Sequence, residues 1–187
     1  MRGDLQYQPI TVQQFLRIDF ASDRKYELVG GMIRMMTGGS PAHARVSANI
    51  VSFLHQRLRG SGCRAYGSDM GVQIGEIDVR YPDVSVFCGD PASVEAEERL
   101  VYADPVVIFE VLSPSTSKGD QNEKLGEYRE VAALQTIVFV DPINELTRVV
   151  QRLGPDSWRD DLFAKPRDVN LPSLSLVVPH HEIFGRD

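Results

Sequence analysis

A single glutamate interrupts the most apolar stretch of the chain. Glu110 lies between Val106-Val107-Ile108-Phe109 and Val111-Leu112, six apolar residues closed off by Pro105 and Ser113-Pro114. A short, β-branched apolar run bounded by prolines reads as a strand covered on both faces. An ionised carboxylate there is costly to bury unless a cation, a hydrogen-bond donor or a shifted pKa relieves it. A companion stands in "YPDVSVF", where Asp83 follows Pro82 at the mouth of another strand and shares a face with Ser85 and Phe87. Ile108, Glu110 and Leu112 share a face in the same way. If the two strands are neighbours, Asp83 and Glu110 point into one space and offer hard oxygen donors to a Mg2+ (or Mn2+) that keeps several waters. Such an ion would relieve the burial of Glu110, lower the pKa of a bound water and stabilise charge developing on a phosphodiester oxygen. Each acid also has a plainer reading, Asp83 as a turn or cap residue and Glu110 as the partner of an arginine or of backbone donors.

Two acids call for a balancing group. Lys124 falls in the first turn of a helix expected after "SPSTSKGD", with Tyr128 one turn further on the same face. The helix dipole mildly disfavours a lysine near an N-terminus, so propensity alone does not account for it. It reads either as a solvated lysine or as an amine reaching back to orient the attacking water or the phosphate. His43, in the first turn of a helix opened by Pro41, is a further candidate, and Glu27 a minor one. Ser113, Ser115 and Thr116 either cap their loop or offer hydroxyls to a phosphate. There is no Walker loop, no G-x-S-x-G elbow and no HExxH.

The elements that must position these residues are readable in outline. Thr11 caps a short helix carrying Val12, Phe15, Leu16 and Phe20. "KYELVGGMIRMM" reads as two strands turned at Gly30-Gly31. Ser40-Pro41 opens a helix whose Val46, Ile50, Phe53, Leu54 and Leu58 share one face before Gly60. Short extended pieces follow in "CRAYGSDMGVQIG" and "DVRYPDVSVFCG", then a polar loop or partial helix in "DPASVEAEERLVYAD". Asp120 with Glu123 resembles a capping box for a helix through Leu125, Tyr128 and Val131. "LQTIVFVDP" reads as a buried strand and "LTRVVQRL" as a strand with one wet face, while the tail from Pro155 reads as irregular or edge-strand material. A helix between the strands near 105 and 135 permits a parallel crossover, so the class is α/β with a mixed sheet.

The 187 residues suit one domain, 1–187, with a core over about 26–152. With 42% hydrophobic and 25% charged residues the chain reads as soluble and globular. Its net charge of -6 means that nucleic-acid contact needs a local basic surface. Cys63 and Cys88 lie far apart without metal-ligand spacing and read as buried thiols rather than a disulfide. No apolar run nears the length of a membrane span, and "MRGDLQYQPI" lacks a signal-peptide core, so a cytoplasmic location with no membrane partner is expected.

The ordered set "YELVGGMI", "SPAHARVSANIVSFL", "YPDVSVF", "VVIFEVLSPST", "EKLGEY" and "IVFVDP" resembles the Uma-two family of restriction-endonuclease-like proteins, formerly a domain of unknown function. The likeness runs from about Tyr26 to Pro142. It implies the PD-(D/E)XK nuclease fold, a central mixed sheet flanked by helices, with Mg2+-dependent hydrolysis of DNA phosphodiester bonds. On that pattern Asp83 is the aspartate of the PD element and Glu110 the second acid, both metal ligands. The lysine usual two residues after the second acid is replaced by Leu112, and Lys124 matches the form in which it migrates to the following helix. The resemblance implies nucleic acid, in the first place DNA, as partner, and leaves a homodimer open. A catalytically inactive nuclease-fold module that binds nucleic acid or a protein is the alternative that Leu112 suggests.

Overall fold

A computed structural model describes residues 8–89, 100–113 and 118–186. The chain opens with α1 (Val12–Phe15), closed by a reciprocal cap: Gln14 N donates to Thr11 Oγ1 and Thr11 N to Gln14 Oε1. β1 (Tyr26–Val29) and β2 (Met32–Met35) form a hairpin, and its turn needs left-handed backbone at Gly30 and Gly31, which only glycine takes without strain. α2 (Pro41–Arg57) is capped by Ser40, whose Oγ accepts from His43 N, and buries Val46, Ile50, Phe53 and Leu54. Then come β3 (Cys63–Gly67), β4 (Gly71–Ile74), β5 (Asp78–Arg80), β6 (Val84–Cys88), β7 (Val101–Tyr102) and β8 (Val107–Val111). α3 (Lys118–Arg129) leads to β9 (Thr136–Asp141), β10 (Leu146–Gly154) and β11 (Ser157–Leu162). β12 (Val169–Leu171), a 3-10 turn, β13 (Leu176–Val178) and α4 (His180–Phe184) complete the described chain.

The main sheet has six strands in the order β11-β10-β9-β8-β6-β3, and it is mixed, since β8 and β9 run parallel while its other pairs are antiparallel. A second sheet, β2-β1-β5-β4-β7, carries the hairpin. Period-two alternation sorts the side chains of the main sheet. Val84, Val86, Val107, Phe109 and Val111 pack toward α2, with Ile183 and Phe184 of α4 in the same cluster. Ile108, Ile137 and Phe139 pack toward Leu125 and Tyr128 of α3. β8 is therefore buried on both faces, as its apolar run requires, and α3 is the connection between it and its parallel neighbour β9.

Three expectations are corrected. Cys63 and Cys88 are joined in a disulfide, not held as separate thiols: the antiparallel register of β3 and β6 sets them directly opposite. Their separation of 25 residues concealed a pairing that only the sheet register creates. α3 begins at Lys118, so Asp120 stands in its first turn instead of capping it, where a negative charge suits the helix dipole, and Lys124 stands in its second turn, not its first. The tail supplies the expected edge strand, β11, but also a strand pair, β12 with β13, and the helix α4, which its prolines concealed. Arg45 and Asn49 of α2 donate to the carbonyls of Ile183, Phe184 and Gly185, closing α4. Most of the segment read as a polar loop, 90–99, lies outside the described residues.

Candidate functional site

The register of β6 with β8 pairs Val84 with Phe109 and Ser85 with Ile108. Continued by one residue, it sets Asp83 across from Glu110, and directly opposite residues of antiparallel strands share a face. Asp83 Oδ2 accepts from Val111 N at 2.7 Å, which fixes its carboxylate against the end of β8. From the other side α3 supplies Lys124 and Tyr128, four residues apart on one face. Lys124 Nζ lies 2.7 Å from Glu110 Oε2, and the Tyr128 hydroxyl donates to Oε1 at 2.5 Å. His43 Nε2 reaches Asp83 Oδ1 at 3.1 Å from the first turn of α2. The four residues singled out in the sequence thus meet at one place. Leu112 packs at the edge of the apolar cluster on the α3 side, and the amine beside Glu110 is that of Lys124.

The site is the floor of a cleft of about 790 Å³, walled by the end of the hairpin, the start of α2 and the Gly67–Asp69 turn. Glu110 is only 5% exposed. Burial pushes its carboxyl above the ordinary range, against the pull of Lys124. Burial also works to lower Lys124, but the Glu110 charge outweighs it and the ammonium is held above its usual value. Tyr128 is lifted well above the ordinary phenol by burial and by Glu110, so it stays a donor. The hydrogen bond to Asp83 raises His43.

A further participant, Arg80, carries no mark in the sequence. It is 2% exposed on β5, donates to both oxygens of Glu127 at 2.6 and 2.7 Å and to Glu27 at 2.9 Å, and so ties β1 to the helix that bears Lys124 and Tyr128. Nothing in "DVRYPD" distinguishes it from a solvated strand arginine, because both of its partners are remote in sequence. Glu27 is thereby placed on Arg80. Ser113 lines the cleft, whereas Ser115 and Thr116 lie outside the described residues.

Four largely buried acids, Glu27, Asp83, Glu110 and Glu127, thus face two permanent cations, Arg80 and Lys124, with His43 against Asp83. Each oxygen of Asp83 and Glu110 already accepts one hydrogen bond, and a carboxylate oxygen has a second lone pair to offer. Among the described residues no group of three or more His, Cys, Asp or Glu is gathered for a metal. Two hard carboxylates, each with lone pairs still to offer, fit a divalent ion that retains much of its water, such as Mg2+, and not a closed zinc site.

A central mixed sheet between helices, with paired acids at adjoining strand ends, defines the restriction-endonuclease-like fold. The chain belongs to the Uma2 family, described as "Putative restriction endonuclease", whose model matches residues 12–179. Two proteins of Synechocystis sp. (strain ATCC 27184 / PCC 6803 / Kazusa) are similar. "Uncharacterized protein sll1609" is 29% identical over 150 residues, covering 80% of this chain and 84% of the relative. "Uncharacterized protein slr1290" is 31% identical over 132 residues, covering 70% and 68%. Among solved structures, "a putative nuclease belonging to DUF820" from Anabaena variabilis ATCC 29413 superposes with a TM-score of 0.76 at 22% identity, over 94% of this chain and 98% of that one. Among the described residues no helix is long and apolar enough to cross a membrane.

Proposed function

We propose that the protein is a metal-dependent endonuclease that hydrolyses phosphodiester bonds of DNA in the cleft over Asp83 and Glu110. The observation that carries this reading is Lys124 Nζ at 2.7 Å from Glu110, on the strand beside Asp83. Asp83 and Glu110 would hold one Mg2+ or Mn2+, which when bound makes a water nucleophilic near neutral pH and screens charge on the phosphate. Lys124, kept as ammonium by Glu110, is no general base; it orients the attacking water and lies close to the phosphate oxygens that gain charge. Tyr128 fixes the Glu110 carboxylate so that its free lone pairs face the cleft. His43 carries the proton that the departing oxygen takes. Leu112 does not argue for an inactive module, because the amine it lacks is supplied from α3.

The test is nicking of supercoiled DNA in Mg2+, in Mn2+ and in EDTA, with Glu110→Gln beside the parent. Cleavage that needs the metal and is lost in Glu110→Gln, with the fold retained by circular dichroism, is the expected result. A variant that cuts as fast as the parent would sink the assignment.

A further inference from the structure

A second cavity of about 750 Å³ lies at the far end of β3 from the cleft, and its lining is basic. Gly67, at one end of this strand, lines the cleft; Cys63 and Arg64, at the other, line the second cavity. His55 and Arg59 reach it from the α2 side and Arg64, paired with Phe87, from the other face of the edge strand, with the Gly60–Gly62 loop beside them, and no aspartate or glutamate among the described residues lines it. His55 stands in the last turn of α2, where a cation complements the carbonyl end of the helix. That explanation does not reach Arg59 and Arg64, both exposed and beyond the helix, whose guanidinium groups engage no other described residue. Several other arginines are occupied, Arg80, Arg148 and Arg159 by carboxylates and Arg45 and Arg152 by carbonyls, while exposed Arg17, like Arg59 and Arg64, engages no other described residue. Gly60 and Gly62 take left-handed backbone, so the loop meets the cavity without side chains at these two positions.

The cleft itself is rich in acids and the chain carries a net charge of -6, so a polyanion gains little long-range attraction at the reacting centre. Grip on its backbone must come from a local basic surface. β3 is an edge strand of the main sheet, and no other described strand pairs with its outer side. Its four residue steps span about 13 Å. At about 3.4 Å of rise per phosphate along one strand of a duplex, that is roughly four phosphates.

We propose that this cavity is a phosphate site, built by Arg59, Arg64 and His55, which holds the backbone of a nucleic-acid strand about four nucleotides from the bond lying in the cleft. The inference rests on the nuclease reading of the cleft. Its test is fluorescence anisotropy of labelled DNA strands of about 6 and about 20 nucleotides in Ca2+, across a salt series. The parent is compared with Arg59→Ala/Arg64→Ala and with Arg17→Ala/Lys165→Ala, which removes equal charge from exposed positions elsewhere. The first double variant is expected to lose about tenfold in affinity for the long strand, and its salt slope to become shallower by about 1.4 to 1.8. It should also lose the advantage that the parent shows for the long strand over the short one. The second should shift by less than about twofold. Parent-like affinity and slope in the first variant would overturn the site while leaving the cleft reading intact, and so would an equal loss in the second. A parent that neither binds nor cuts DNA of any length would overturn the cleft reading, and this one with it.

Discussion

The Tyr128 hydroxyl and the Glu110 carboxylate, both buried, meet at 2.5 Å, and this bond joins the helix of the site to its central strand. Tyr128→Phe keeps the ring and removes the donor. The expected cost is about 2 kcal/mol, as for a hydrogen bond to a charged group. In a chain of this size that lowers the melting temperature by roughly 4 to 8 °C. Cleavage should fall along with it, because Glu110 is then held by Lys124 alone. Calorimetry and a nicking assay read the two effects, and an unchanged melting temperature would refute the role given to the hydroxyl.

Lys124→Met leaves Glu110 buried without its cation, which costs about 3 kcal/mol at neutral pH. Burial already raises the Glu110 carboxyl, and loss of Lys124 raises it further. An acid raised by folding adds stability that is fully present below its unfolded pKa and is lost as the pH rises through the folded value. The gap between parent and variant should therefore narrow as the pH falls into the carboxyl range. Adding Glu110→Gln to Lys124→Met should recover most of the loss at neutral pH. Urea melts at several pH values measure both, and a gap independent of pH would contradict the pairing.

His43 is raised by its hydrogen bond to Asp83. A histidine raised by folding contributes stability that is complete below its unfolded pKa, near 6.5, and is lost as the pH climbs through the higher folded value. The metal-free parent should lose stability above about pH 6.5 relative to His43→Gln, with the two curves parallel at more alkaline pH. A constant difference between them across that window would remove His43 from contact with Asp83.

The Cys63–Cys88 bridge closes a loop of 25 residues' separation. Chain entropy assigns such a loop about 3 to 4 kcal/mol. Unreduced, denatured protein should show no free thiol, and reduction should expose two while lowering the urea midpoint. Two free thiols before reduction, in protein purified without reductant, would rule the bridge out.

What could be read beforehand was whatever local chemistry dictates. The caps at Thr11 and Ser40, the Gly30-Gly31 turn and the buried strand around Glu110 are set by residues near one another in sequence, and each stands where it was expected. Alternation alone placed Asp83 and Glu110 each on a defined face, and the pairing of β6 with β8 supplied the rest. What escaped depends on register between distant segments. The disulfide follows from the pairing of β3 with β6, and the burial of Arg80 from two glutamates on other elements. α4 escaped because the groups that close its end, Arg45 and Asn49, lie about 140 residues earlier.

One contact at the far edge of the main sheet reaches back to the centre. Arg152 donates to the carbonyls of Arg129, Val131 and Leu134, where α3 ends and the chain turns toward β9. Its guanidinium lies 4.3 Å from the ring centre of Trp158, the only tryptophan in the chain. The indole is thus an inbuilt optical gauge of the helix that carries Lys124 and Tyr128. Any ion or strand that draws this helix toward or away from Glu110 changes the surroundings of one fluorophore, and its emission reports the movement without an added label.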